Sequence, residues 1–217
     1  MIHINAKIMD VVRLEDGVQI SIRAGTPGRP LLEKRPGDEV EIGIEDGRTI
    51  TPAQRRKIYA TLNDISLHTG YTPDAAKQVM KVEHMLRTEC TEYFSLSDCS
   101  VTTAREYINT LMEYALREGI VLSGIGLECT DDIDTYLYQC MKYRKCCICG
   151  RSADIHHVDA IGMGRDRRTV DDSMMKKAAL CRNHHTIAHQ MGWKRFSQQY
   201  KIYGIVYNDC RGGDLVE

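Results

Sequence analysis

Cysteine and histidine crowd into one stretch of this chain. Five of its eight histidines and four of its nine cysteines fall between Cys146 and His189, where composition alone would scatter them along 217 residues. Cys146-Cys147-Ile148-Cys149-Gly150 carries a Cys-x-x-Cys pair at 146 and 149, with Gly150 letting the backbone turn tightly, and Cys181-Arg182-Asn183-His184 repeats the two-residue gap. Thiolate and imidazole are donors that zinc selects, and two such pairs close a tetrahedral site. Cys147, between the ligands, points into the core or away from the metal. Cys90, Cys99, Cys129, Cys140 and Cys210 read as ordinary free cysteines.

That site uses one histidine and leaves His156, His157, His185 and His189. Residues 182–190 read as a short helix, and His185 and His189 at i and i+4 share one face, where paired imidazoles can hold a second ion. His156-His157 sits in a strand-like stretch, residues 154–158, in which neighbouring side chains point to opposite sides. One can ligate while the other does chemistry. Imidazole tolerates several ions, so spacing does not name the second metal.

The charge balance of −1 hides two opposed parts. Residues 1–140 hold 15 basic against 22 acidic residues, and residues 141–217 hold 14 against 8. A basic C-terminal part suits phosphate contact, and a salt-compensated contact between the two parts explains the asymmetry as well. No run approaches the ~18 apolar residues of a membrane span, and the first residues lack a charged segment followed by an apolar one. A soluble, intracellular protein is expected, with cysteines serving metal rather than disulfides.

The elements that must position these residues follow from periodicity. Val18, Ile20 and Ile22 share one strand face and Val40, Ile42 and Ile44 another, with turns at Asp16-Gly17, Pro36-Gly37 and Asp46-Gly47, predicting a small antiparallel sheet. Thr51-Pro52-Ala53-Gln54 opens a helix to about His68 with the apolar stripe Ile58, Leu62 and Ile65. Thr72-Pro73 starts a second, with Val79, Val82, Met85 and Leu86 at helical spacing. Ile108, Leu111, Met112, Ala115 and Leu116 mark the strongest helix, ended by Gly119. A fourth, about 132–143, buries Ile133, Leu137, Cys140 and Met141 and runs into the cysteine cluster without a linker. The fold expected is α+β, with domains at 1–140 and 141–217.

Residues 144–190 resemble the zinc-knuckle branch of the HNH endonucleases, on Cys-x-x-Cys, then His-His, then Leu180-Cys181-Arg182-Asn183-His184-His185-Thr186-Ile187-Ala188-His189. The resemblance implies a ββα-metal fold in which Cys146, Cys149, Cys181 and His184 take a structural zinc. His156, His185 and His189 take a catalytic divalent ion (Mg, Mn, Ni or Zn), and His157 takes the general-base position. His156 stands where many members carry Asp; the middle Asn falls near Lys176, and no Asn is there. Residues 45–123 are similar to phage NinB/Orf-type recombination proteins, on the segment from Glu45 to Ile65 and the helix ending Glu118-Gly119-Ile120. The combined architecture resembles the HNHc nucleases of Gram-positive phages.

The function implied is metal-dependent hydrolysis of DNA in phage or prophage recombination, in the cytoplasm of a bacterial host. The alternative is a non-cleaving mediator that binds single-stranded or branched DNA and keeps the zinc for stability. DNA is the partner in either case, single-stranded, branched or duplex. Self-association and phage recombination or single-strand-binding proteins are the further partners considered, with no membrane. Arg55, Arg56 and Lys57 beside Tyr59 suit phosphate contact with base stacking, and equally a solvated helix face. Arg165, Arg167 and Arg168, with Lys176 and Lys177, suit backbone contact or a plain solvated loop.

Overall fold

The computed structural model describes residues 6–24, 47–89, 92–158 and 174–207. They fall into two compact units, an N-terminal hairpin and the body that begins at Gly47. In the hairpin, β1 (Ala6–Arg13) pairs antiparallel with β2 (Val18–Ala24), and the Leu14 N–H donates to the Gly17 carbonyl across the turn. Val18, Ile20 and Ile22 are exposed. The strand face of Val40, Ile42 and Ile44 and the Pro36-Gly37 turn lie outside the described residues.

The second unit opens with α1 (Pro52–Thr69). Thr51 Oγ1 accepts from the Gln54 N–H while the Gln54 side chain accepts from the Thr51 N–H, so two of the helix's orphan donors are satisfied reciprocally. The Gln54 amide also donates to the Val101 carbonyl, tying the start of α1 to the start of α3 (Val101–Glu118). Ile58, Leu62 and Ile65 from α1 are buried with Ile108, Leu111, Met112, Ala115 and Leu116 from α3, as the spacing predicts. Gly119 ends α3 in the left-handed conformation.

The second helix, α2 (Pro73–Thr88), turns a different face inward from the one predicted. Ala76, Met80, Lys81 and His84 are buried, whereas Val79, Val82 and Leu86 are exposed. The two polar residues are admitted because they find partners: His84 Nδ1 lies 2.8 Å from Thr110 Oγ1, and Lys81 Nζ donates to the Phe94 carbonyl at 2.8 Å. A hydrogen bond offsets the cost of burying a neutral polar group such as His84, and the rings of His84, Phe94 and Tyr107 then pack edge to face. After the short α4 (Gly126–Cys129), α5 (Ile133–Lys142) is capped by Asp132 and buries Leu137, Cys140 and Met141. Ile133 is exposed, and Tyr136 takes the inward place, its hydroxyl donating to the Cys147 carbonyl.

Glu113 fastens these helices together. Its carboxylate receives Arg87 from α2 and Lys142 and Tyr143 from the end of α5. Burial works against the charge, but the Tyr143 hydroxyl, Arg87 and Lys142 hold the carboxyl below its ordinary range. A carboxylate depressed in the folded state contributes stability above its unfolded-state pKa of about 4.3 and loses it as pH falls through the folded value. Glu113→Gln is therefore expected to cost about 2 kcal/mol at pH 7, with the difference shrinking as pH drops below about 4. Denaturant titrations of both proteins across that range check it.

The same buried cluster continues into the C-terminal part through Leu180 and Phe196. There β3 (Asp154–His157) pairs antiparallel with β4 (Lys176–Leu180), and β5 (Ile205–Val206) pairs with the other edge of β4. Between β4 and β5 the chain forms α6 (Arg182–Met191) and α7 (Trp193–Tyr200). A Cβ at Gly204 would lie 2.6 Å from Val158 Cγ2 and 3.0 Å from Lys176 Cβ, so only glycine lets the chain approach this hairpin closely enough to add β5. Among the described residues no helix is long and apolar enough to cross a membrane.

Candidate metal centre

The cysteine knuckle is shaped by backbone hydrogen bonds. The Gly150 N–H donates to the Cys146 carbonyl and the Cys146 N–H to the Arg151 carbonyl, with Gly150 at φ +68° completing the turn. Cys146 and Cys149 therefore project to the same side. The second pair comes from the entry to α6, where Cys181 is the residue preceding the first helical turn and His184 follows within that turn. Cys146 Sγ and Cys181 Sγ lie 3.4 Å and 3.3 Å from His184 Nδ1, and Cys149 Sγ lies 3.6 Å from Cys181 Sγ. Zinc–sulfur bonds of about 2.3 Å and zinc–nitrogen bonds of about 2.0–2.1 Å at tetrahedral angles require edges of roughly 3.5–3.8 Å. The four donors fit such an ion.

The electrostatics agree with the geometry. Burial pushes the Cys146 thiol up to about 12, so holding it as thiolate near neutral pH would take a compensating cation. Burial also opposes the Cys149 thiolate, but Arg151, whose Nε donates to Cys149 Sγ at 3.5 Å, and the neighbouring sulfurs bring its pKa down. Three thiolates around one dication would leave a net negative charge, which Arg151 beside Cys149 is placed to offset. Cys147 is fully buried, its N–H donating to the Ala179 carbonyl, and burial raises its thiol.

The second cluster joins β3 to α6. His156, His185 and His189 present ring nitrogens that all lie within 4.8 Å of one another. His185 and His189 are one helical turn apart with ring centroids at 4.6 Å, and their rings lie 4.9 Å and 5.0 Å from His156. His156 is 5% exposed, and its Nδ1 is buried without a hydrogen-bond partner among the described residues. Burial first, then the neighbouring histidines, lower its pKa to about 4. The ring is thus neutral at pH 7, with one ring nitrogen able to offer its lone pair to a cation, and an orphaned buried nitrogen among three convergent imidazoles fits a divalent metal. His157, the next residue on β3 and opposite Lys177, is half-buried and is not one of the three clustered rings.

One supporting element was not read from the sequence. Trp193 stacks on His156 at 5.3 Å and 26°, Phe196 packs between Trp193 and Tyr200, and Tyr200 meets the His184 ring edge-on at 5.3 Å. A single face of α7 thereby backs both clusters. Gly192, at φ +79° and ψ 144°, supplies the glycine-only turn that brings Trp193 over His156. The signal was available: Trp193, Phe196 and Tyr200 fall at i, i+3 and i+7 directly after a glycine.

The basic residues separate. Successive positions on a helix point about 100° apart, so the run at 55–57 does not share one face: Arg55 and Arg56 border a common cleft with Tyr59, and Lys57 turns away from it. Arg55 donates to the Leu96 and Ser97 carbonyls, Lys57 donates to the Thr130 carbonyl and pairs with Asp131, and Arg56 and Tyr59 are exposed. Lys176 is exposed at the start of β4. Lys177, expected beside it on the surface, is buried, its Nζ donating to the Tyr207 carbonyl. The strand pleat explains the correction, since adjacent residues cannot face the same side. Arg165, Arg167 and Arg168 lie outside the described residues.

A protein-family model described as "Putative HNHc nuclease" matches residues 20–211. No curated protein and no solved structure matches the chain. Because the family match runs through both Cys/His clusters and the helices that precede them, the chain belongs to the HNHc nuclease family.

Proposed function

We propose that this protein is a metal-dependent DNA endonuclease with two metal sites of different purpose. Cys146, Cys149, Cys181 and His184 hold a structural zinc. His156, His185 and His189 hold the catalytic ion, and His157 is the general base. The observation that carries this reading is the set of three convergent imidazoles, left over once four donors have been assigned to zinc, with a buried His156 nitrogen that nothing else satisfies. Membership in a nuclease family supports DNA as the substrate.

When bound, a divalent cation in the histidine cluster supplies charge neutralisation at the phosphate and assistance to the departing 3′ oxygen. The chain's own residues do the rest. His157 takes the proton from the attacking water, leaving 5′-phosphate ends, and Trp193 holds the His156 ring in its ligating orientation. Trp193→Ala is expected to weaken metal binding at the histidine cluster about tenfold while leaving the zinc in place. Metal titration with chelator competition checks this.

The activity belongs, in this reading, to phage or prophage recombination, with residues 1–140 handling DNA and residues 141–217 cutting it. The likeness of residues 45–123 to phage recombination proteins supports that context. The test is incubation of supercoiled, single-stranded and branched DNA with the purified protein and Mg²⁺, Mn²⁺ or Ni²⁺. Shortened strands are expected. DNA that is shifted in a gel yet never cut, with any of the three ions, sinks the endonuclease.

A further inference from the structure

Two adjoining clefts lie on α1, α2 and residues 95–97, none of which supplies a candidate metal ligand. A cleft of about 320 Å³ is lined by Arg55, Tyr59, Lys77 and Lys81 together with Ser95, Leu96 and Ser97, and among the described residues no carboxylate lines it. An adjoining cleft of about 450 Å³ shares Arg55 and Tyr59 and adds Arg56.

Lys81 is the unusual member. It is 4% exposed, a degree of burial that lysine rarely reaches without a counter-charge. Its Nζ donates to the Tyr93 hydroxyl at 3.2 Å and the Phe94 carbonyl at 2.8 Å and sits over the Tyr93 ring at 4.3 Å. These partners are all neutral, and no carboxylate pairs with it among the described residues. An ammonium has three N–H donors, so one remains after these two bonds. Arg55 is likewise held by two neutral acceptors, the Leu96 and Ser97 carbonyls. Lys77 alone has an acidic partner, the exposed Asp74.

The balance of charge decides what fits. Three cations line the cleft and one is compensated, leaving two. A backbone phosphodiester, with one negative charge, would leave one cation unanswered, whereas a phosphate monoester carries close to two negative charges at pH 7. The Tyr59 and Tyr93 rings, 48% and 61% exposed, flank the cations and offer faces on which a base can stack. We infer that this cleft receives the terminal phosphate of a nucleic-acid strand, with the adjoining base on Tyr59 and the rest of the strand running along the neighbouring cleft past Arg56. This rests on the reading of DNA as the substrate, but it concerns strand-end recognition rather than cleavage.

The experiment is equilibrium binding of a fluorescent twelve-residue oligothymidylate bearing a 5′-phosphate, a 3′-phosphate or neither, to the full-length protein without added Mg²⁺. The same samples are run on a denaturing gel, so that absence of cutting, which bears on the nuclease, is read separately from binding. A phosphorylated end, 5′ or 3′, is expected to tighten binding about tenfold over hydroxyl ends, as a charge-assisted contact does. Lys81→Met should abolish that preference. Because a buried lysine can matter to folding, Lys77→Gln and Tyr59→Leu provide exposed or half-exposed counterparts. Lys77→Gln should cut the preference severalfold, and Tyr59→Leu should weaken all three oligomers about tenfold. Equal affinity for phosphorylated and unphosphorylated ends overturns the inference, as does a preference unchanged in both Lys81→Met and Lys77→Gln. Thymidine monophosphate binding as tightly as the oligomer also overturns it, by making the cleft a nucleotide site.

Discussion

Replacement of His157 by alanine is expected to slow DNA hydrolysis at least about a hundredfold while both metal sites stay filled. General-base assistance is worth roughly 10²–10⁴ in rate, and no other group in the proposed site is assigned the water's proton. The selectivity of the effect follows from the strand. His156 and His157 are adjacent on β3, so the pleat directs one ring into the cluster with His185 and His189 and keeps the other out of it. In the proposed mechanism, loss of His157 therefore removes the proton acceptor and none of the three clustered rings. Single-turnover rates, with metal content measured on the same preparations, distinguish this from a ligand loss such as His185→Ala, which should lower metal content and rate together. Full activity in His157→Ala would remove that residue from the mechanism.

The second large effect concerns the zinc knuckle. Cys181→Ser is expected to abolish zinc retention and to lower the melting temperature by about 10 °C or more, because zinc-site binding energy is folding energy for the residues it joins. Cys181 precedes the first turn of α6, and the same helix carries His185 and His189, so an ion held by Cys181 and His184 would fix the helix that presents the proposed catalytic ligands. Cleavage should fall with zinc content. Cys147→Ala is the control. That side chain is also fully buried and lies between two of the ligands in sequence, yet it is not among the four converging donors. It should keep its zinc and lose only the modest stability of a truncated core side chain. Atomic spectroscopy and thermal melts decide the matter; equal zinc loss in both variants would show that Cys181 has no special part.

Glu113 and Trp193 each hold neighbouring groups in place without belonging to either cluster. One holds α2, α3 and the end of α5 together by charge. The other fixes an imidazole by stacking. Neither belongs to a motif, and both become visible only through the groups they touch.

Local signals were legible in the sequence wherever the determining interactions are local. The capping box at Thr51 and Gln54, the i, i+3, i+4 stripe of α3, the glycine that ends it and the two-residue gaps of both ligand pairs are all settled within a few residues, because capping, helical periodicity and chelate spacing act over that range. The inward face of α2 was not legible. Val79, Val82 and Leu86 have the apolar pattern, but Lys81 and His84 are inside because Phe94, Tyr93 and Thr110, distant in sequence, satisfy them. The burial of Lys177 against Tyr207, the Trp193 stack on His156 and the gathering of Arg55, Lys77 and Lys81 into one cleft are of the same kind. A residue's type and its near neighbours fix what it can do; which distant group answers its hydrogen bonds and charge is decided only when the elements pack.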